Sequence, residues 1–145
     1  MITVNVDTQS DEPPPLSPEV IAGLVTATLT DHGIDTGQVQ VVFTDDEYLR
    51  RLKREYFGRD EYTDVIAFKL NESDEPLDGE IYISQERARE NSRLYGESYQ
   101  REIKRLIVHG CLHLSGHEDD TPVKEAQMRS LEEVYLASPP QSSGR

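Results

Sequence analysis

Apolar and polar residues alternate in ITVNVD (2–7), the pattern of a strand with one face buried. QVQVVFTD (38–45), TDVIAFKL (63–70) and GEIYIS (79–84) read as three further strands, the last two joined by the polar loop NESDEPLD. Between the first two strands, three consecutive prolines in TQSDEPPPLS forbid helix and central strand, so that segment reads as a linker. Ser17 before Pro18 and Glu19 opens a helix whose buried stripe is Val20, Ile21, Leu24, Val25 and Leu29. DHGIDTG then turns the chain, with His32 at the helix end as a surface cap. Asp45 or Asp46 caps a second helix through LRRLKREYF that stops at Gly58. Helices are also predicted for Ser84–Tyr95 and Tyr99–Leu114, separated by Gly96, and for Pro122–Leu136. The pattern predicts an α+β fold: one domain over residues 1–137, a four-stranded sheet with helices packed on it, and a disordered polar tail at 138–145.

Length supports that reading, since 145 residues suffice for one core and are too few to divide comfortably. No apolar run approaches the roughly 20 residues of a membrane span, and MITVNVDTQSDEPPP lacks the basic start and apolar stretch of a secretory leader. The single cysteine, Cys111, cannot form an internal disulfide, so a cytoplasmic location is expected. A formal charge of −13 argues against indiscriminate nucleic-acid binding, which needs Lys and Arg. The charge is unevenly spread. Residues 1–49 hold nine acids and no Lys or Arg, whereas residues 50–105 hold thirteen acids and twelve bases. Two readings stay open: an acidic surface that aids solubility, and a polarised molecule whose less acidic side meets an anionic partner.

The chemistry concentrates in HGCLHLSGHEDD (109–120), which holds three of the four histidines. His109 and His113 are four apart on a predicted helix, so both imidazoles leave one face on adjacent turns and can bind one ion without distorting it. Gly116 suits the left-handed residue that ends such a helix, and the sharp turn there is what a third ligand from the same segment requires. Two histidines at this spacing are common, and a lone buried one is usually a hydrogen-bonded core residue. Two with a glycine terminator and a cluster of N and O donors point to a metal. Zinc suits His and carboxylate ligands with an open position, and nickel or cobalt fits as well. The third ligand is Asp119 or His117. The spacing His-x3-His-x5-Asp favours Asp119, while His117, directly after the glycine, is aimed along the exit direction. His117, if not a ligand, is the candidate proton donor or base beside the metal, and is equally placed to be idle in solvent.

HGCLHLSGHED resembles the signature HGxLHLxGYDH of the bacterial YbeY family, metal-dependent endoribonucleases of ribosomal RNA maturation, with Asp119 in the slot of the third histidine. LKREYFGRDEYTDVIAF and LDGEIYIS resemble two further family segments, so the similarity runs over most of residues 40–136. Phe57 stands where the family has an arginine, and Ala67 where it has serine. The resemblance implies a single-strand-specific, metal-dependent endoribonuclease whose partners are ribosomal RNA and the ribosome or its associated proteins. A non-catalytic, metal-stabilised ribosome-assembly factor is the alternative. Gly110 occupies the place of the general-base glutamate of HExxH proteases, which makes peptide hydrolysis remote. With Phe57 uncharged, Arg59 is the candidate contact to the substrate phosphate, and Arg54, able to pair with acids on its own helix, is the weaker one. Asp64 is expected to close a turn at its strand start, and Cys111, about 200° around the helix from His109, to be buried away from the metal.

Overall fold

The structure, a computed structural model, describes residues 1–137. The tail expected at 138–145 lies outside the described residues. The chain runs β1 (Ile2–Thr8), α1 (Pro18–Asp31), β2 (Gly37–Thr44), α2 (Asp46–Phe57), β3 (Val65–Lys69), β4 (Leu77–Ser84), α3 (Gln85–Tyr95), α4 (Tyr99–Leu114) and α5 (Pro122–Ala137).

Capping chemistry sets most of these boundaries. Ser17, Asp45, Ser84 and Ser98 each adopt extended backbone and accept the N–H three residues on, which satisfies a donor the helix itself leaves free. Gly58 and Gly96 end α2 and α3 at φ of 68° and 66°, a conformation that costs glycine little.

The sheet is mixed, with order β1-β2-β4-β3. β2 pairs in parallel with both β1 and β4, while β3 returns antiparallel along β4, with Val65 opposite Ile83 and Ala67 opposite Ile81. Strand alternation sends Val39, Val41, Phe43, Ile81 and Ile83 to one face, where they meet Ile21, Val25 and Leu29 of α1 and Ile103, Leu106, Ile107 and Cys111 of α4. On the other face Val42 and Ile66 are buried together with Leu49 of α2, the helix that packs on β3 and β4. The α+β expectation is met.

α4 is the central helix, touching α1, α3, α5, β3 and β4. Two glycines let it lie close to the sheet. A Cβ on Gly110 would stand 2.8 Å from Ile81 Cγ2, and one on Gly79 would stand 2.7 Å from Leu114 Cδ1. A smaller apolar cluster of Val108, Leu112 and Met128, flanked by Leu131 and Tyr135, fastens α5 to α4. Each large aliphatic side chain buried in these clusters contributes about 1.5–3 kcal/mol. α4 is thereby clamped on several sides, and what it carries on its remaining face is held in place.

Candidate metal centre

That remaining face of α4 is a polar stripe at helical spacing: Glu102, Arg105, His109 and His113. At its C-terminal end His109 Nε2 and His113 Nε2 lie 3.1 Å apart. The helix then closes in a Schellman turn: the Gly116 N–H donates to the His113 carbonyl (3.0 Å) and the His117 N–H to the Leu112 carbonyl (2.9 Å), with Gly116 at φ 100°. This turn brings Asp119 back over the helix, Oδ2 at 3.3 Å from His109 Nε2 and Oδ1 at 3.6 Å from His113 Nε2. Among the described residues these three side chains form the one cluster whose donor atoms converge tightly enough for an ion, all within 4.8 Å of one another.

The donor set suits a metal ion. His109 Nδ1 lies 2.6 Å from Oε2 of Glu132 on α5, a carboxylate only 1% exposed. An ionised carboxylate there can only accept, so the ring carries its proton on Nδ1 and presents the Nε2 lone pair toward His113 and Asp119. Burial, followed by the neighbouring His109, pulls His113 below its ordinary pKa in spite of Asp119, which favours the neutral, ligating form.

Glu132 is itself part of a buried chain of polar groups. Arg105 donates to Glu132 Oε1 (3.2 Å) and, through Nε and Nη2, to both oxygens of Glu102 (2.9 and 2.7 Å). Burial opposes the Arg105 charge, but Glu102, Glu132 and Asp64 outweigh it and hold the guanidinium firmly protonated. Asn91 of α3 bridges Glu102 and Asp64, with both contacts at 3.0 Å. The turn expected at Asp64 is replaced by longer-range contacts: its side chain joins this network, and its backbone carbonyl extends the antiparallel β3–β4 pairing, accepting from the Ser84 N–H at 3.0 Å.

The cluster opens into a cleft of about 540 Å³ walled by β3 (Val65 to Ala67), Phe57, Tyr95 and residues of α5. Its cationic groups are Lys53, Arg105 and Arg129. Arg59 does not line this cleft. Its side chain is 71% exposed and its guanidinium sits 3.4 Å from Glu61. Arg54 faces Asp60 at 3.8 Å. His117 also lies outside the cleft: as the residue after the helix-ending glycine it leaves along the exit direction, and its ring packs edge-on against His32 with centroids 5.0 Å apart. Sequence spacing thus assembles His109, His113 and Asp119, whereas Arg59 and His117, also expected at the site, are held elsewhere. Cys111 is buried in the main core.

Glu132, Glu102, Tyr95 and Arg129 carry no motif in the sequence. The available signal was the stripe itself, since polar residues at 102, 105, 109 and 113 on an otherwise apolar, buried helix must find partners. Gly110 turns out to face the sheet. With Ile81 so close, no side chain fits there, so the missing HExxH glutamate follows from packing as well as from chemistry.

Fold and site together define a single-domain α+β protein with a His-His-Asp metal-type cluster on a central helix and its exit turn. The sequence model of the family Endoribonuclease YbeY matches residues 7–139. Relatives carrying that name include one from Christiangramia forsetii, 41% identical over 101 residues that make up 70% of each chain. Another, from Porphyromonas gingivalis, is 32% identical over 136 residues, covering 94% of this chain and 89% of that one. The chain belongs to the YbeY family. The solution structure of TM1509 from Thermotoga maritima shares the fold at a TM-score of 0.61 and 22% identity, covering 97% of this chain and all of that one.

Proposed function

We propose that this protein is a metal-dependent endoribonuclease that cuts single-stranded ribosomal RNA during ribosome maturation in the cytoplasm. The observation that carries the proposal is the convergence of His109, His113 and Asp119 at the foot of an open cleft, in a chain whose relatives are named endoribonucleases. That name favours an enzyme over a non-catalytic assembly factor. His109, His113 and Asp119 hold one ion, with zinc the first choice for two imidazoles and a carboxylate and nickel also suited to that donor set. When bound, such an ion supplies Lewis-acid polarisation of a phosphoryl oxygen and lowers the pKa of water.

The protein's own groups do the rest. Glu132 keeps the Nδ1 proton on His109 and fixes the ring; Arg105, hydrogen-bonded to the other Glu132 oxygen, holds that carboxylate in place. Lys53 and Arg129, both on the cleft wall, attract the RNA backbone and bring a phosphate to the cluster. They take the role that the sequence assigned to Arg59. The acidic remainder of the surface opposes non-specific RNA binding, which fits delivery by the ribosome or a ribosome-associated protein. No helix among the described residues is long and apolar enough to cross a membrane.

The test is incubation of metal-loaded protein with single-stranded and duplex ribosomal RNA fragments. Cleavage of the single strand that is lost on chelation and in His113→Ala supports the proposal. Binding without cleavage at any metal tried sinks it and leaves the assembly factor. Arg59→Ala is expected to cleave like the parent, whereas Arg129→Ala raises KM.

A further inference from the structure

Two aromatic rings share the metal cleft with no structural need to be there. Phe57, the last residue of α2, lines it with 53% of its surface exposed, and Tyr95, the last residue of α3, lines it at 49%. Neither belongs to an apolar core cluster. Phe57 lies parallel to Phe68 (interplanar angle 15°, centroids 5.9 Å apart), so one face is backed and the other is left to solvent. Phe68 in turn meets Tyr82 edge-on, and Tyr56 meets Phe68 likewise, which fixes the orientation of the platform. Tyr95 has the Arg129 guanidinium carbon 6.0 Å from its ring centroid, and Arg129 makes no ion pair among the described residues. Each ring is also anchored directly before a helix-ending glycine, Gly58 or Gly96, so its backbone position is set by a cap.

Exposed planar rings, an arginine with no ion pair among the described residues and a metal-type cluster in one cleft are what an unstacked polynucleotide requires: faces for its bases and positive charge for its phosphates. A protein partner would also bury these rings, but a single RNA strand supplies the bases and the phosphates together, one set for the rings and the other for Arg129 and the metal cluster. We propose that Phe57 and Tyr95 are stacking platforms for two bases of the bound RNA strand. This rests on the endoribonuclease reading and adds a physical origin for strand selectivity. In a duplex both faces of every base are already covered by neighbours, so the rings gain a partner only when the strand is single. They are positioning residues, acting on bases and not on the reacting phosphate.

The experiment is an anisotropy titration of the full-length protein, with metal withheld so that nothing is cut, against a short fluorescein-labelled single-stranded RNA and its duplex. Phe57→Leu and Tyr95→Leu, which keep apolar bulk, are each expected to weaken single-strand binding at least about fivefold, the lower end of what one base-on-ring stack is worth. Phe57→Tyr and Tyr95→Phe retain a ring and are expected to bind like the parent, and the weaker duplex binding is unmoved by any of the four. Leucine variants that bind the single strand within about twofold of the parent, or that lose duplex affinity equally, overturn the proposal. The parent is assayed in parallel for cleavage with metal restored. Cleavage with ring-independent binding sinks the platforms alone, and ring-dependent binding without cleavage sinks the enzymatic reading alone.

Discussion

Glu132 is the residue whose alteration most directly tests the proposed centre. It is 1% exposed, 2.6 Å from His109 Nδ1 and 3.2 Å from Arg105 Nη1. Glu132→Gln keeps its shape and removes its charge. The amide then has two orientations, and neither works. With its oxygen toward Arg105, the NH2 faces His109 Nδ1, which must accept; the ring proton moves to Nε2 and occupies the lone pair meant for the ion. With the amide reversed, the NH2 faces the Arg105 guanidinium, donor against donor. Loss of such a ligand-orienting partner costs about 10- to 100-fold in metal affinity, or about 1.4–2.7 kcal/mol. Arg105 keeps both oxygens of Glu102 and has Asp64 at 3.6 Å, so the fold is not left with an unpaired buried cation. The cost in stability is therefore about 1–3 kcal/mol, the range for one unsatisfied buried group, and below the 3–5 kcal/mol or so of a wholly broken buried pair. Metal affinity is read by competition with a chromophoric chelator, and stability by urea denaturation of the metal-free protein. Glu133→Gln, one residue along α5 with its carboxylate on Arg101, makes the same charge change without touching the site and is the control. If Glu132→Gln binds metal as tightly as that control, the account of His109 and its tautomer is wrong.

Three further outcomes follow from the same geometry. Asp119→Ala removes one of three converging donors and abolishes tight metal binding in the chelator assay, while His117→Ala, whose ring lies on His32, leaves it unchanged; the reverse result would exchange the two residues' roles. Gly110→Ala presses a methyl group to 2.8 Å from Ile81 and destabilises the protein by about 1–3 kcal/mol in urea, with α4 pushed off the sheet; a neutral result refutes the close approach. His113, depressed below the ordinary histidine value of 6.5, binds fewer protons folded than unfolded just below that value. Its contribution to the stability of the metal-free protein is hence lost as pH falls through 6.5 toward the lower folded pKa, so Tm declines from pH 7 to 5 and His113→Gln makes that decline shallower. An unchanged slope in the variant refutes the shift.

The elements and the heart of the centre were legible because they depend on neighbours in sequence. A serine or aspartate cap, a glycine terminator and a repeat of apolar positions act over three or four residues, so α4 and its boundaries follow from YQREIKRLIVHGCLHLSG alone. The same locality places His109 and His113 on one face, and Gly116 returns Asp119 to them. What surrounds them depends on parts of the chain that sequence proximity does not join. Glu132 reaches His109 across 23 positions, and Asp64 meets Asn91 across 27. The tyrosine and arginine of the cleft come from α3 and α5, and no local pattern says that these helices flank α4. Arg59 and His117 show the same limit: nearness along the chain suggested them for the site, whereas the structure places Arg59 against Glu61 and His117 against His32, outside the cleft. Backbone propensity and capping, acting over single turns of chain, determined the helix, its two imidazoles and the turn that brings in the carboxylate. Only the packing of α3, α5 and β3 around α4 decided which buried acid fixes the imidazole tautomer and which cations and rings face the substrate, because burial and charge pairing are settled between distant segments.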